Sequence, residues 1–238
     1  MKKAIIVGAT SGIGRELASL LSGQGYQVGI TGRRTSLLEQ LKSENPGSYS
    51  VKTMDVTDTS TVPVHLDELA LELDGLDLLI LCAGTGEINM QLAFETEKQT
   101  IDTNVSGFTC VAGWAFHYFE KQRSGHLVAI SSVAGLRGSG QAPAYNASKA
   151  YQVNYMEGLR QKAAKLNGTV FITDIRPGLV DTRMAKGEGL FWVMPVDKSA
   201  RQIFAAIKKR RQTAYVTKRW RLVAKILQWI PAFLYNRM

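Results

Sequence analysis

Ala4-Ile5-Ile6-Val7-Gly8-Ala9-Thr10-Ser11-Gly12-Ile13-Gly14-Arg15-Glu16-Leu17-Ala18 runs from a short apolar stretch, through a turn rich in glycine, into a segment whose apolar residues repeat at helical spacing. The pattern predicts a strand over Ala4–Gly8 and a helix over Gly12–Gly23. Glycine in such a turn lets the backbone approach a diphosphate closely and lets the helix pack on the strand. The helix start offers unpaired N–H groups and the positive end of its dipole, so the turn reads as a phosphate cradle. Glycine-rich turns are common, and the weight of this one comes from its place between a strand and a helix.

The same alternation continues outward along the chain. Further strands are expected near Gln27–Thr31, Ser50–Met54, Leu76–Cys82, Gly125–Ser131, Val170–Ile175 and Ala214–Thr217. Helical segments fill the gaps near Ser36–Ser43, Ser60–Leu73, Glu97–Gln122, Tyr145–Leu166 and Lys198–Lys209. Parallel strands need helix-length crossovers, so this order predicts an α/β fold: a doubly wound parallel sheet of about seven strands with helices on both faces. Ligands on such sheets sit at the carboxyl ends of the strands, which is where chemistry is to be sought.

Composition removes several alternatives. The 238 residues, 45% hydrophobic and 21% charged, suffice for one good-sized core. Cys82 and Cys110 show neither CxxC spacing nor a histidine cluster, which argues against a metal site or a disulfide framework and fits a reducing, cytoplasmic setting. The apolar run after Met1-Lys2-Lys3 stops at Gly8, too early for a signal peptide, and no apolar stretch is long enough to span a bilayer. The net charge of +9 suggests nucleic acid until it is located: residues 1–197 carry 18 Lys and Arg against 20 Asp and Glu, whereas residues 198–238 carry 11 Lys and Arg and no acid. The basicity belongs to the tail, and no nucleic-acid partner is expected.

The strand ends carry the candidate chemistry. The second strand leads into Thr31-Gly32-Arg33-Arg34, without the acid that many dinucleotide folds use to hold the adenosine ribose. Gly32 leaves space and Arg33 can fork onto a phosphate, which favours a 2′-phosphorylated cofactor, NADP(H) over NAD(H), with Arg34 a further candidate contact, although two solvated arginines opening a helix would read the same way. Asp55, before Val56, stands where an adenine amino group is met or where a helix is capped. Ser131-Ser132 follows the fifth strand, and Tyr145 and Lys149 lie four apart at the start of the next helix, on one face. An ammonium beside a phenol lowers its pKa from about 10 and readies it for proton transfer. A tyrosine and lysine so spaced occur by chance. Ser132, thirteen residues upstream at a strand end, gives the pair its weight.

Together these residues resemble the short-chain dehydrogenase/reductase superfamily in its short single-domain form, over roughly residues 3–217. Gly8, Gly12 and Gly14 match its glycine turn, Asn104 its helix asparagine, Ser132, Tyr145 and Lys149 its catalytic residues, and Pro177-Gly178 its proline-glycine motif. The resemblance implies a Rossmann-like catalytic domain over 1–217 and a homodimer or homotetramer. In the implied reaction Tyr145 is the proton donor to a carbonyl oxygen, Ser132 its hydrogen-bond partner, and Lys149 the residue that tunes Tyr145 and holds nicotinamide-ribose hydroxyls. Asn104 would support a water linking Lys149 to solvent, or act structurally. Cofactor contacts are implied for Ser11 and Ile13 in the turn, Ala83 and Gly84 after the fourth strand, and Val180 and Thr182 beside Pro177 and Gly178. The family's usual threonine before the turn is Val7 here, and its usual asparagine before Ala83 is Cys82, read as a core cysteine.

The expected activity is NADP(H)-dependent interconversion of a carbonyl and an alcohol. Substrate identity is expected to lie with Met184–Pro195, where Leu190, Phe191, Trp192 and Met194 either close over an apolar substrate or complete the core or a subunit contact. In residues 218–238, Leu222, Val223, Ile226, Leu227 and Ile230 recur at helical spacing among Arg219, Arg221, Lys225 and two tryptophans. This basic amphipathic segment suits an anionic membrane surface or packing on protein. A peripheral-membrane reductase of a lipid-linked ketone of the 3-oxoacyl or sphingoid type is therefore one alternative. A non-catalytic NADPH-binding sensor or scaffold is another, which the presence of both Tyr145 and Lys149 disfavours.

Overall fold

The computed structural model describes residues 1–185 and 191–237. Seven strands, β1 (Lys3–Val7), β2 (Gln27–Gly32), β3 (Tyr49–Thr53), β4 (Leu78–Leu81), β5 (Gly125–Ile130), β6 (Val170–Pro177) and β7 (Thr213–Val216), form one parallel sheet in the order β3-β2-β1-β4-β5-β6-β7. The order reverses between β1 and β4, and this switch point is where an open α/β sheet leaves a crevice at its carboxyl edge.

Strand periodicity divides the core. Ile5 and Val7 of β1 and Leu79 and Leu81 of β4 face α3 (Val62–Glu72), α5 (Phe108–Gln122) and α6 (Pro143–Ala164), with Phe108, Phe116 and Phe119 fully buried among them. The intervening Ala4, Ile6, Leu78 and Ile80 face α1 (Gly12–Gly23), α2 (Thr35–Glu44) and α7 (Val196–Lys208). Each central strand is buried on both faces, which is why the strands read as continuous apolar runs.

The helix expected over Glu97–Gln122 is interrupted. It comprises α4 (Phe94–Ile101), a π-helical segment Asp102–Gly107, and α5. Gly107 explains the interruption: a Cβ there would lie 2.5 Å from the Val56 carbonyl oxygen, so the backbone passes too close to the loop after β3 for an ordinary turn. The chain after β7 forms α8 (Lys218–Trp229) and α9 (Ala232–Tyr235), and α8 lies against β7 and the 3₁₀ turn Val133–Leu136.

Candidate active site

A cleft of about 1020 Å³ opens at the carboxyl edge of the sheet. Gly8, Ser11, Gly12, Ile13 and Gly14 form one wall; Arg33, Arg34, Asp55 and Val56 one end; Ala83 and Gly84 the floor. Ser132, Tyr145 and Lys149 lie opposite, with Pro177, Gly178, Val180 and Thr182 along the far rim. Seven separate stretches of chain thus converge on one space. Asn104 is not on the cleft surface but fully buried behind it.

The glycine turn is shaped by close approaches. Gly8 adopts φ +93°, and a Cβ on Gly14 would fall 2.1 Å from the Gly8 carbonyl oxygen. Cys82, in place of the family's asparagine, is half-buried on the cleft wall beside Gly14 rather than within the core, and desolvation pushes its thiol up to about 12. No side chain caps α1, and its first turn holds no acid, so its N–H groups and dipole stay free to meet an anion. Arg34 Nη2 donates to Thr10 Oγ1 (2.5 Å) and Ser11 Oγ (2.9 Å), which draws a guanidinium to the turn. Its pKa is lowered by burial and by the nearby charges of Arg183 and Arg33. Three guanidinium groups gathered at one end of a cleft repel one another until an anion sits among them. The sequence reading did not single out Arg183. Asp55 accepts from the Thr57 N–H (3.0 Å) and hydroxyl (2.9 Å) in a turn of the loop after β3, ahead of the N-cap of α3 at Thr61, so it caps no helix, and Arg33 stands 4.0 Å away. The turn, the uncapped helix and the arginines together fit the phosphates of a dinucleotide.

At the opposite end, Ser132 Oγ accepts from the Ala134 N–H (3.1 Å), which starts the 3₁₀ turn. Asn146, between Tyr145 and Lys149, donates to the carbonyls of Ala134 (3.0 Å) and Arg137 (2.8 Å) and so fastens that turn to α6. Glu97 accepts from the Ala144 N–H (3.0 Å), giving the start of α6 the acidic partner its own sequence lacks. The tyrosine and serine are therefore registered by groups from three elements.

Lys149 is buried, and its Nζ donates to the Ile130 carbonyl (3.2 Å) and Gln152 Oε1 (3.0 Å). Burial brings the ammonium down to about 8, against the pull of the Asp174 charge. The phenol of Tyr145 does not follow the expected downward shift. Desolvation raises it, with a hydrogen bond from Ser132 acting the other way. Lys149 Nζ stands 5.8 Å from the Tyr145 ring centroid and is engaged elsewhere, so desolvation decides the direction.

The Asn104 side chain donates to the Thr85 carbonyl (2.6 Å) and Ser148 Oγ (3.0 Å) and accepts from the Thr85 N–H (2.9 Å), clamping the loop after β4 to α6. Its main-chain carbonyl, released by the π turn, accepts from Gln152 Nε2 (2.9 Å). Gln152 thus joins Lys149 to the π turn. Gln152 is buried, and its only sequence signal is a position three residues after Lys149. Gln152→Leu is expected to leave two buried polar groups short of a partner, costing about 1–3 kcal/mol, measured as a lower denaturant midpoint at unchanged slope. An unchanged midpoint would contradict this.

Of the substrate loop, Leu190 lies outside the described residues. Met194 pairs back with Leu179 and Asp181 through main-chain bonds of 3.0 and 2.9 Å. Phe191 stacks on Trp220 of α8 (5.5 Å, 27°), and Trp192 meets the same ring edge-on (6.5 Å, 87°).

A sequence model of the short chain dehydrogenase family matches residues 2–190. An uncharacterized oxidoreductase of Mycobacterium tuberculosis is 32% identical over 99% of this chain and 96% of its own, and one of Myxococcus xanthus is 36% identical over 77% of this chain and 74% of its own. Among solved structures, ElxO with NADP bound superposes with TM-score 0.79 at 21% identity, covering 90% of this chain and 96% of that one. The protein gox2181 superposes with TM-score 0.81 at 20% identity, covering 90% and 93%. The parallel sheet, the glycine turn at its switch point and the sequence match agree: this chain is an oxidoreductase of the short-chain dehydrogenase/reductase family.

Proposed function

We propose that the chain is an NADP(H)-dependent carbonyl reductase, or alcohol dehydrogenase in reverse, acting as a homodimer or homotetramer in the reducing cytoplasm. The observation that carries this reading is the convergence of Ser132, Tyr145 and Lys149 on one cleft wall facing the glycine turn. A nicotinamide cofactor, when bound in the cleft, would supply the hydride that the carbonyl carbon receives. Tyr145 gives its phenolic proton to the carbonyl oxygen, and its raised pKa keeps that proton in place near neutrality. Ser132 hydrogen-bonds the same oxygen as charge grows on it. Lys149 would hold the nicotinamide-ribose hydroxyls, its ammonium already positioned by the Ile130 carbonyl and Gln152. Asn104 and Gln152 hold Lys149 in place from behind. The test is a screen of NADPH consumption over aldehydes, ketones, quinones and acyl ketones; no consumption with any of them would count against the reading.

The preference for the 2′-phosphate rests on Arg33 and Arg34, with no acid at the end of β2 and Arg183 nearby. NADPH is expected to bind about tenfold more tightly than NADH, or about 1.4 kcal/mol. Arg33→Ala should remove most of that difference, with Arg34→Ala weakening both cofactors through the loosened turn. Titration of protein fluorescence measures both, and equal affinities in the unaltered chain would refute the preference.

A further inference from the structure

Helix α8 carries two apolar stripes on roughly opposite sides. Trp220, Ala224 and Leu227, spaced four and three residues apart, form the inner one. Trp220 and Ala224 are buried, and Trp220 and Leu227 line the cleft. The Trp220 ring packs so closely on Gly178 that a Cβ there would fall 2.1 Å from it. Leu222, Ile226 and Trp229, with the same spacing, form the outer stripe, and they are 62%, 53% and 86% exposed. Phe233 and Leu234 of α9 prolong this exposed surface. Since the inner stripe already anchors the helix, the outer one contributes nothing to the core, and a contiguous exposed apolar surface of this kind marks a contact site.

The surroundings of the outer stripe say what it contacts. Arg219, Arg221 and Lys225 are exposed beside it, and residues 198–238 contain no Asp or Glu. The segment is held firmly: Arg137 Nη1 donates to the carbonyls of Leu227 (3.1 Å) and Ile230 (2.9 Å) at the end of α8, and the Tyr235 hydroxyl donates to the Gly138 carbonyl (2.5 Å). Among the described residues no helix is long and apolar enough to cross a membrane. We propose that the outer face of α8 and α9 docks on an anionic lipid bilayer, with Leu222, Ile226, Trp229 and Phe233 in the interface and Arg219, Arg221 and Lys225 among the headgroups. A second copy of the chain suits this face less well, because a two-fold contact would set the same acid-free basic segment against itself. Given the reductase reading, the geometry also selects substrate. The helix that rests on the bilayer is itself, through Trp220 and Leu227 on its inner side, a wall of the cleft, which places the site beside the lipid surface and favours amphiphilic carbonyl compounds as substrates.

The test is co-sedimentation of the full chain with vesicles of mixed phosphatidylglycerol and phosphatidylcholine, and with vesicles of phosphatidylcholine alone. The expected result is binding to the anionic vesicles about tenfold or more tighter than to the neutral ones, weakening as salt is raised. The double variants Trp229→Ser/Phe233→Ser and Arg221→Glu/Lys225→Glu should each lose about tenfold or more of that binding, while NADPH affinity is unchanged. Absence of binding to anionic vesicles, or equal binding by the folded variants, would overturn the proposal. So would an oligomer, seen by sedimentation velocity, that the serine variant dissociates while vesicle binding persists. Vesicle binding needs no turnover, so failure of the reductase reading would leave this result standing, and the reverse.

Discussion

Tyr145→Phe is expected to lower turnover on the best carbonyl substrate by roughly 10²–10⁴-fold, the usual contribution of a positioned general acid. The ring is kept and only the hydroxyl is removed, so the clamp of the 3₁₀ turn on α6 through Asn146 is untouched. NADPH affinity should therefore stay within about twofold, because the arginines and the glycine turn at the far end of the cleft dominate it. The loss falls on kcat, since the missing proton matters in the transition state more than in the bound ground state. Steady-state kinetics with parallel NADPH titration check this. Near-full activity in the variant would remove Tyr145 from the mechanism.

The largest loss of stability is expected for Asp174→Ala. Asp174 is fully buried on β6, accepts from Arg176 Nε (2.6 Å) and is hydrogen-bonded by the Ser131 hydroxyl. Arg176 is itself buried and reaches the Tyr215 hydroxyl (3.2 Å) on β7. Removing the carboxylate strands a buried cation, at a cost of about 3–5 kcal/mol, read as a fall in the urea midpoint. Asp174→Asn keeps an acceptor oxygen for Arg176 and turns its amide N–H to the Ser131 hydroxyl, which can accept instead of donate, so it should cost less. Its second effect has a definite sign. The Asp174 charge holds the Lys149 pKa up, so its loss should move the Lys149 titration below its value of about 8. The alkaline limb of the activity profile should shift toward acid in Asp174→Asn. A variant as stable as the parent, with an unshifted limb, would show that this buried pair is not coupled to the site.

The parts of the site legible in the sequence are those set by local rules. A strand followed by Gly8-Ala9-Thr10-Ser11-Gly12-Ile13-Gly14 can be read because strand, turn and helix are neighbours in the chain, and Tyr145 and Lys149 because one helical turn relates them. The inner strands β1, β2, β4 and β5 are legible because they are buried on both faces and read as apolar runs, whereas the edge strands β3 and β7 are half-exposed and are legible from the alternation around them. What was hidden depends on contacts distant in sequence. Glu97 supports the start of α6 from 47 residues away. The π turn at Asp102–Gly107 arises from the approach of Gly107 to Val56, which helical periodicity does not record. Gln152 gains its role only because that turn frees the Asn104 carbonyl. The downward shift expected for the Tyr145 phenol followed from the four-residue spacing, but burial, invisible in spacing, outweighs it. In the tail, helical spacing revealed apolar residues without showing that they divide into one stripe against the cleft and another facing outward.

If the cleft works as proposed, hydride passes from NADPH to a carbonyl carbon while Tyr145 supplies the proton. Incubation with NADPH deuterated at the transferring position of the nicotinamide, followed by mass spectrometry of the alcohol formed, tests this directly. The expected product of the unaltered chain carries one deuterium on the carbinol carbon. Product without deuterium at that carbon, or NADPH oxidised with no alcohol formed from any carbonyl in the screen, would contradict it.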